Sequence, residues 1–295
     1  MEARITSKLD NNEIVHTINN DENDKLDSDH EFKKACNEKN YKILKEINVT
    51  KINYNTINEC LFEALIHNED DLVEFLLTNK IADPNALTPN KKNFILHIAC
   101  RMGNVRQANI LIDKGANCEA LGQDQSTPLM QAIYNGSIEI VKLLIKHTKN
   151  ISSSNLVRAC FNAQNPQALR LLLQNTPSLI DHLKNPSMKL HIWLCSYSIE
   201  KRTSDFQCDP TTIGPESRKE LLNILKENDI KFELSSEEHE EILVSSCIAD
   251  YDDILEYFLS TLIIPSSLSQ NTIQLLFRVT IIEGSNKCLQ KLVKA

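Results

Sequence analysis

Glycine is scarce in this chain, with 6 residues in 295. An architecture of many tight β-turns needs more, so the scarcity favours helices. Aromatic residues make up only 5%, with a single Trp, and the formal net charge is -8. Basic clusters interleaved with aromatics are missing, which argues against a nucleic-acid partner and against anionic membranes. No apolar run approaches the ~20 residues that span a bilayer, so no membrane insertion is expected. Met1 to Asn20 lack the apolar stretch of a signal peptide. Nine Cys, an odd number spread over a long chain, suit free thiols in a reducing, cytoplasmic compartment rather than a disulfide framework. No CxxC pair, HExxH, phosphate-binding Gly-rich loop or GxSxG occurs, so no cofactor and no metal is expected.

What is present is enough for one or two domains with a continuous core, since 41% of residues are hydrophobic. The first 30 residues stand apart. Asn19 to His30 read NNDENDKLDSDH, too polar to bury the apolar area that would offset ordering entropy. Residues 1–30 are therefore expected to be a mobile polar leader.

The rest is repetitive. Leu96, Ala99, Gly103, Ala108 and Leu111 align with Leu129, Ala132, Gly136, Val141 and Leu144, every pair 33 residues apart. A small residue recurs at Ala35, Ala64, Ala99, Ala132, Ala159, Cys195, Ser246 and Thr280. Three positions before each stands Phe32, Leu61, Leu96, Leu129, Leu156, Ile192, Leu243 or Phe277, all apolar. Spacing of three, and later three to four, is helical. Small residues beside it let helices approach closely. In SIEIVKLLIK, Ile140, Val141, Leu144 and Ile145 share one face. A period near 33 implies a solenoid of helical hairpins, each touching only its neighbours.

Residues 127–144, TPLMQAIYNGSIEIVKLL, and residues 95–117, ILHIACRMGNVRQANILIDKGAN, resemble the ankyrin repeat, whose signature runs TPLHxAAxxGHxEIVxxLL. Leu61 to Leu77, Leu156 to Leu172 and Leu243 to Leu259 are similar to a lesser degree, and the units around Ala35 and Thr280 only weakly. The resemblance covers about residues 31–295. It implies an all-α solenoid of about eight helix-turn-helix units with short finger loops, monomeric, binding a partner protein on its concave side. Carried over by position, the groove-facing residues are Ile66, His67, Arg101, Met102, Tyr134, Asn135, Phe161 and Asn162. The fingers supply Asn90, Lys91, Lys92, Gln123, Asp124 and Ser126. Arg101, Met102, Tyr134 and Phe161 form a mixed apolar and cationic row, a composition typical of interface anchors.

Two spacings depart from the period. Ala132 to Ala159 is 27 residues, so the finger near Thr148 to Ser154 must be short. Cys195 to Ser246 is 51, with an insertion of about residues 200–215, EKRTSDFQCDPTTIG, between a first helix near Leu190 to Ile199 and a second near Glu216 to Lys226. Trp193 beside it is expected to pack the helix. His97 with Cys100, and His191 with Cys195, could each pair as base and nucleophile on one helix face. The competing reading is structural: Cys36, Cys100, Cys160 and Cys247 share one repeat position, where a thiol acts as a small buried apolar group. The resemblance likewise implies a loop-tying role for His97.

The 30 Asn residues, with abundant Ile and Lys, suggest AT-rich coding. In that bias the array resembles secreted effectors of intracellular bacteria or poxviral ankyrin proteins. The functional expectation is a protein-protein interaction scaffold, in the effector case acting in the host-cell cytoplasm. The alternatives are the targeting region of a longer enzyme, since the chain stops in CLQKLVKA without a capping Gly, or a cryptic Cys-His site.

Overall fold

A small residue flanked by apolar ones at helical spacing should place two helices close together, and the structure does so repeatedly. The computed structural model describes residues 27–122, 125–149, 151, 154–163, 165–184, 215–230, 235–261 and 269–294. These fall into two compact units, divided between Gln125 and Ser126. Among the described residues there is no β-strand, only one isolated backbone bridge between Leu87 and Phe94, and no helix is long and apolar enough to cross a membrane. The insertion around residues 200–214, with Trp193, His191, Cys195, Phe206 and Cys208, lies outside them, as do Gln123 and Asp124.

The first unit holds three hairpins: α1 (residues 27–37) with α2 (Tyr41–Glu46), α3 (Tyr54–Ile66) with α4 (Asp70–Thr78), and α5 (Ile95–Met102) with α6 (Val105–Asp113). First helices stack on first helices and second on second, α3 on α5 and α4 on α6. The second unit holds α7 (Pro128–Asn135) with α8 (Ile138–His147), and α9 (Ser154–Asn162) with α10 (Pro166–Asn175). A short α11 (Leu179–Leu183) and α12 (Pro215–Glu227) follow, then α13 (Ser236–Ile248) with α14 (Asp252–Thr261), and α15 (Gln270–Glu283) with α16 (Asn286–Lys294). Helix α12 packs between α10 and α14, and the first helix expected near Leu190 to Ile199 lies outside the described residues.

The register read from the sequence is the register of the core. Ala35, Ala64, Ala99, Ala132, Ala159, Ser246 and Thr280 are all buried. The two hydroxyls are accommodated by back-bonding within the helix, Ser246 Oγ donating to the Ile242 carbonyl at 2.7 Å and Thr280 Oγ1 to the Leu276 carbonyl at 3.0 Å. One correction concerns the leader. Residues 27–30, placed in it above, are already helical. Asp29 Oδ1 accepts from the Asn53 backbone N–H at 2.8 Å.

Scarce glycine does not prevent tight helix-to-helix turns. Four residues after six of the small positions, Ala35, Ala64, Ala99, Ala132, Ser246 and Thr280, the backbone is left-handed. Gly103, Gly136 and Gly284 occupy it at φ 73°, 82° and 69°, but so do Lys39, Asn68 and Asp250 at 53°, 55° and 53°. Abundant asparagine does part of the capping. The side-chain oxygens of Asn40, Asn104 and Asn165 accept from Ile43, Gln107 and Ala168 N–H, each closing the first turn of a second helix. The same Asn104 amide donates to Asn68 and Asp70 at 2.9 and 3.1 Å, and that of Asn165 to the Ile133 carbonyl at 3.2 Å. One residue thus caps its own helix and ties it to the preceding hairpin.

Candidate functional site

In the first unit α3 and α5 end at the residues named from the repeat. Ile66 closes α3 half-buried, and His67 caps it, exposed, with Nε2 3.4 Å from Glu63 Oε2. Arg101 and Met102 close α5, and Met102 is 43% exposed. A cation in the last turn is favoured by the helix dipole. The finger before α5 is a hydrogen-bonded turn. Thr88 is buried, its N–H donates to the Asn93 carbonyl at 2.8 Å, and the Lys91 N–H donates to the Thr88 carbonyl at 2.7 Å. The Asn90 side chain accepts from the Lys92 N–H. Lys91, at φ 54°, and Lys92 are therefore held out on an ordered loop.

In the second unit Tyr134 and Asn135 end α7, half-buried and exposed respectively, and Asn162 ends α9, exposed. The structure brings Tyr134 and Asn162 together: burial pushes the Tyr134 hydroxyl above its ordinary range, and a hydrogen bond with the Asn162 side chain opposes this. Two expected contact residues are corrected. Phe161 is 1% exposed, so it belongs to the core and is no interface anchor. Helix α11, which the sequence pattern does not announce, packs against α9, and the large ring sits inside rather than on the surface. Ser126 is 4% exposed, and its hydroxyl accepts from Gln131 Nε2 at 3.1 Å, bracing the start of α7 instead of presenting a finger.

The thiols behave as core. Cys36, Cys60, Cys100, Cys118, Cys160, Cys247 and Cys288 are free and buried. Burial pushes the Cys100 and Cys160 thiols well above the usual range, the opposite of what a nucleophile needs. His97, buried beside Cys100, stacks on Phe94 with ring centroids 6.0 Å apart. Among the described residues no group of three or more His, Cys, Asp or Glu is placed to hold a metal.

Two exposed apolar residues are absent from the expected set. Leu87 and Leu121 are 37% and 53% exposed, each directly after a buried alanine, Ala86 and Ala120. Their 34-residue separation is one repeat, so an Ala-Leu pair recurring at the period is the signal that was available. The two fingers are tied at their bases. Asn85 Nδ2 donates to the Gly115 carbonyl at 3.2 Å, and Asn85 Oδ1 accepts from Asn117 N–H at 2.8 Å.

The comparisons agree with this geometry. The family model of ankyrin repeats matches in three copies, over residues 61–155 and 119–185. The fowlpox virus (strain NVSL) ankyrin repeat protein FPV031 is 38% identical over 87 residues, 29% of this chain and 25% of that protein. The ankyrin repeat and KH domain-containing protein CBG24701 of Caenorhabditis briggsae is 32% identical over 117 residues, 39% of this chain and 4% of that protein. This chain thus spans a quarter or less of the length of these two relatives. The crystal structure of the human ASB11 ankyrin repeat domain superposes with a TM-score of 0.54 at 18% identity, covering 76% of this chain and 96% of that one. At that identity the likeness is one of fold. Of the two kinds of ankyrin protein that composition suggested, the poxviral one is among the relatives.

Proposed function

We propose that this chain, an ankyrin-repeat protein, recognises a partner protein through the exposed ends of its first helices and its fingers, each unit contributing its own set of contacts. In the first unit Met102, Leu87 and Leu121 supply apolar area, Arg101, Lys91 and Lys92 supply cationic charge, and Ile66 and His67 extend the set. In the second unit Tyr134, Asn135 and Asn162 do so. The observation that carries this reading is the exposure of Leu87, Met102 and Leu121 on a hydrogen-bonded scaffold. Burying such side chains in an interface is favourable by roughly 25 cal/mol per Å². Because the finger over residues 88–93 is already a hydrogen-bonded turn, little further entropy is lost there on binding. The cationic neighbours select an acidic face on the partner. The fowlpox likeness supports an action on host proteins in the host-cell cytoplasm, and the formal net charge of -8 argues against a nucleic-acid partner.

The test compares wild type with a Met102→Asp, Leu121→Asp variant whose circular dichroism is unchanged. Both are used to capture proteins from host-cell extract, quantified by mass spectrometry. Loss of a specific captured protein supports the reading. An unchanged set of captured proteins overturns the site in the first unit.

A further inference from the structure

Two thiols from neighbouring hairpins meet inside the first unit. Asp29, Lys33 and Cys36 stand at offsets of four and three on α1, so they share one face. That face meets α3 at three levels. Asp29 Oδ1 accepts from the Asn53 backbone N–H at 2.8 Å, and Lys33 Nζ lies 2.7 Å from Glu59 Oε2. About one turn further along α1, the Cys36 thiol donates to the Cys60 sulfur. The pair is asymmetric. As donor, Cys36 has its thiol pushed up by that hydrogen bond and by burial. The same hydrogen bond holds the Cys60 thiol below its ordinary range, and Lys33 acts in the same direction against burial. Cys60 also keeps 7% exposure, whereas Cys100 and Cys160 have none. A thiolate favoured by its neighbours, slightly accessible and beside a second thiol, is the arrangement that oxidises first and is then resolved to a disulfide. Cys247 and Cys288 share a hydrogen bond too, but both are fully buried, and Asp250 opposes a thiolate there.

We propose that Cys36 and Cys60 form a peroxide-responsive modification site, at which a disulfide staples α1 to α3. The Cys60 thiolate attacks one oxygen of hydrogen peroxide. An S–O bond forms and the O–O bond breaks. The released hydroxide takes up the proton that Cys60 gave up and leaves as water. Cys36 then attacks the sulfur of the Cys60 sulfenic acid. The S–S bond forms, the S–O bond breaks, and the leaving hydroxide carries off the Cys36 proton as a second water. Two thiols thereby lose two electrons, and one peroxide gains them. The product suits the site, because a disulfide leaves no charge in the core, whereas a thiolate does. The link also closes a loop from α1 to α3, which restricts the unfolded chain. The pair is separate from the finger and helix-end residues, and the proposal stands without them.

The test treats the full chain with hydrogen peroxide at neutral pH and maps its peptides by mass spectrometry without reduction. Peptides joined through Cys36 and Cys60 are expected before any other cysteine is modified, and dithiothreitol should separate them. The melting midpoint of the linked protein should rise by about 5 °C or more, a rise that reduction cancels. Cys36→Ser removes the resolving thiol, so its Cys60 should be trapped as sulfenic acid by dimedone. The wild-type map decides by itself should that variant fail to fold. Cys36 and Cys60 that both stay reduced until denaturant is added overturn the proposal. So does linkage of Cys247 to Cys288 at an equal or faster rate, or oxidation of Cys60 to sulfinic acid without a link.

Discussion

Gln107 on α6 is fully buried, and neither its amide nitrogen nor its oxygen has a hydrogen-bond partner in the protein. In four other repeats the position eight after the small residue holds a buried apolar side chain, Leu72 on α4, Ile140 on α8, Ile254 on α14 and Cys288 on α16; on α2 it is the half-buried Ile43 and on α10 the exposed Gln167. Gln107→Leu should therefore stabilise the first unit. Each buried unsatisfied polar group costs roughly 1–3 kcal/mol, so removing two gives about 2 kcal/mol at the low end. Added apolar burial contributes on the order of 1 kcal/mol. Accommodating a branched side chain where a linear one stood costs a similar amount. The net expectation is a gain of about 2 kcal/mol. With a urea m-value of about 2 kcal/mol/M, the midpoint rises by about 1 M at constant slope. Gln107→Ala separates the contributions: it removes the same polar groups but leaves a void, and should lie near wild type. The assay is urea unfolding followed by circular dichroism. A midpoint for Gln107→Leu at or below wild type would refute the reasoning, because it would mean that the amide is satisfied in solution.

Leu129→Ala and Leu144→Ala, at fully buried repeat positions, should each destabilise by roughly 2–5 kcal/mol, read from the same urea curves. The left-handed position after the small residue should respond in opposite directions at two sites. Lys39→Gly relieves a strained backbone of about 1 kcal/mol and gives up only an exposed ion pair with Glu69. Asp250→Gly should instead destabilise by about 1–2 kcal/mol, because Asp250 Oδ1 accepts from the backbone N–H groups of Lys287 and Cys288 at 3.1 Å and so caps α16. Thermal melts that move both variants the same way would contradict this. Cys100 and Cys160, buried with thiols pushed up by desolvation, should react with iodoacetamide at neutral pH only in denaturant; native-state labelling of either, seen by mass spectrometry, would reopen a nucleophilic role.

The sequence by itself determined the repeat and its register. A small residue is required wherever two first helices approach closely, so Ala35, Ala64, Ala99, Ala132 and Ala159 had to recur at a helical offset from their apolar partners, and a period is legible without any contact map. It also marked where each first helix ends, and hence Arg101, Met102 and Tyr134. What it could not determine is which of those ends stays in water. Phe161 shares its register with Arg101 and Tyr134, yet lies in the core of a unit in which α11 packs on α9. That helix is only five residues, too short to leave a periodic signature. The exposed Leu87 and Leu121 were hidden for a related reason, because an apolar residue in a loop reads as core until the fold shows nothing above it.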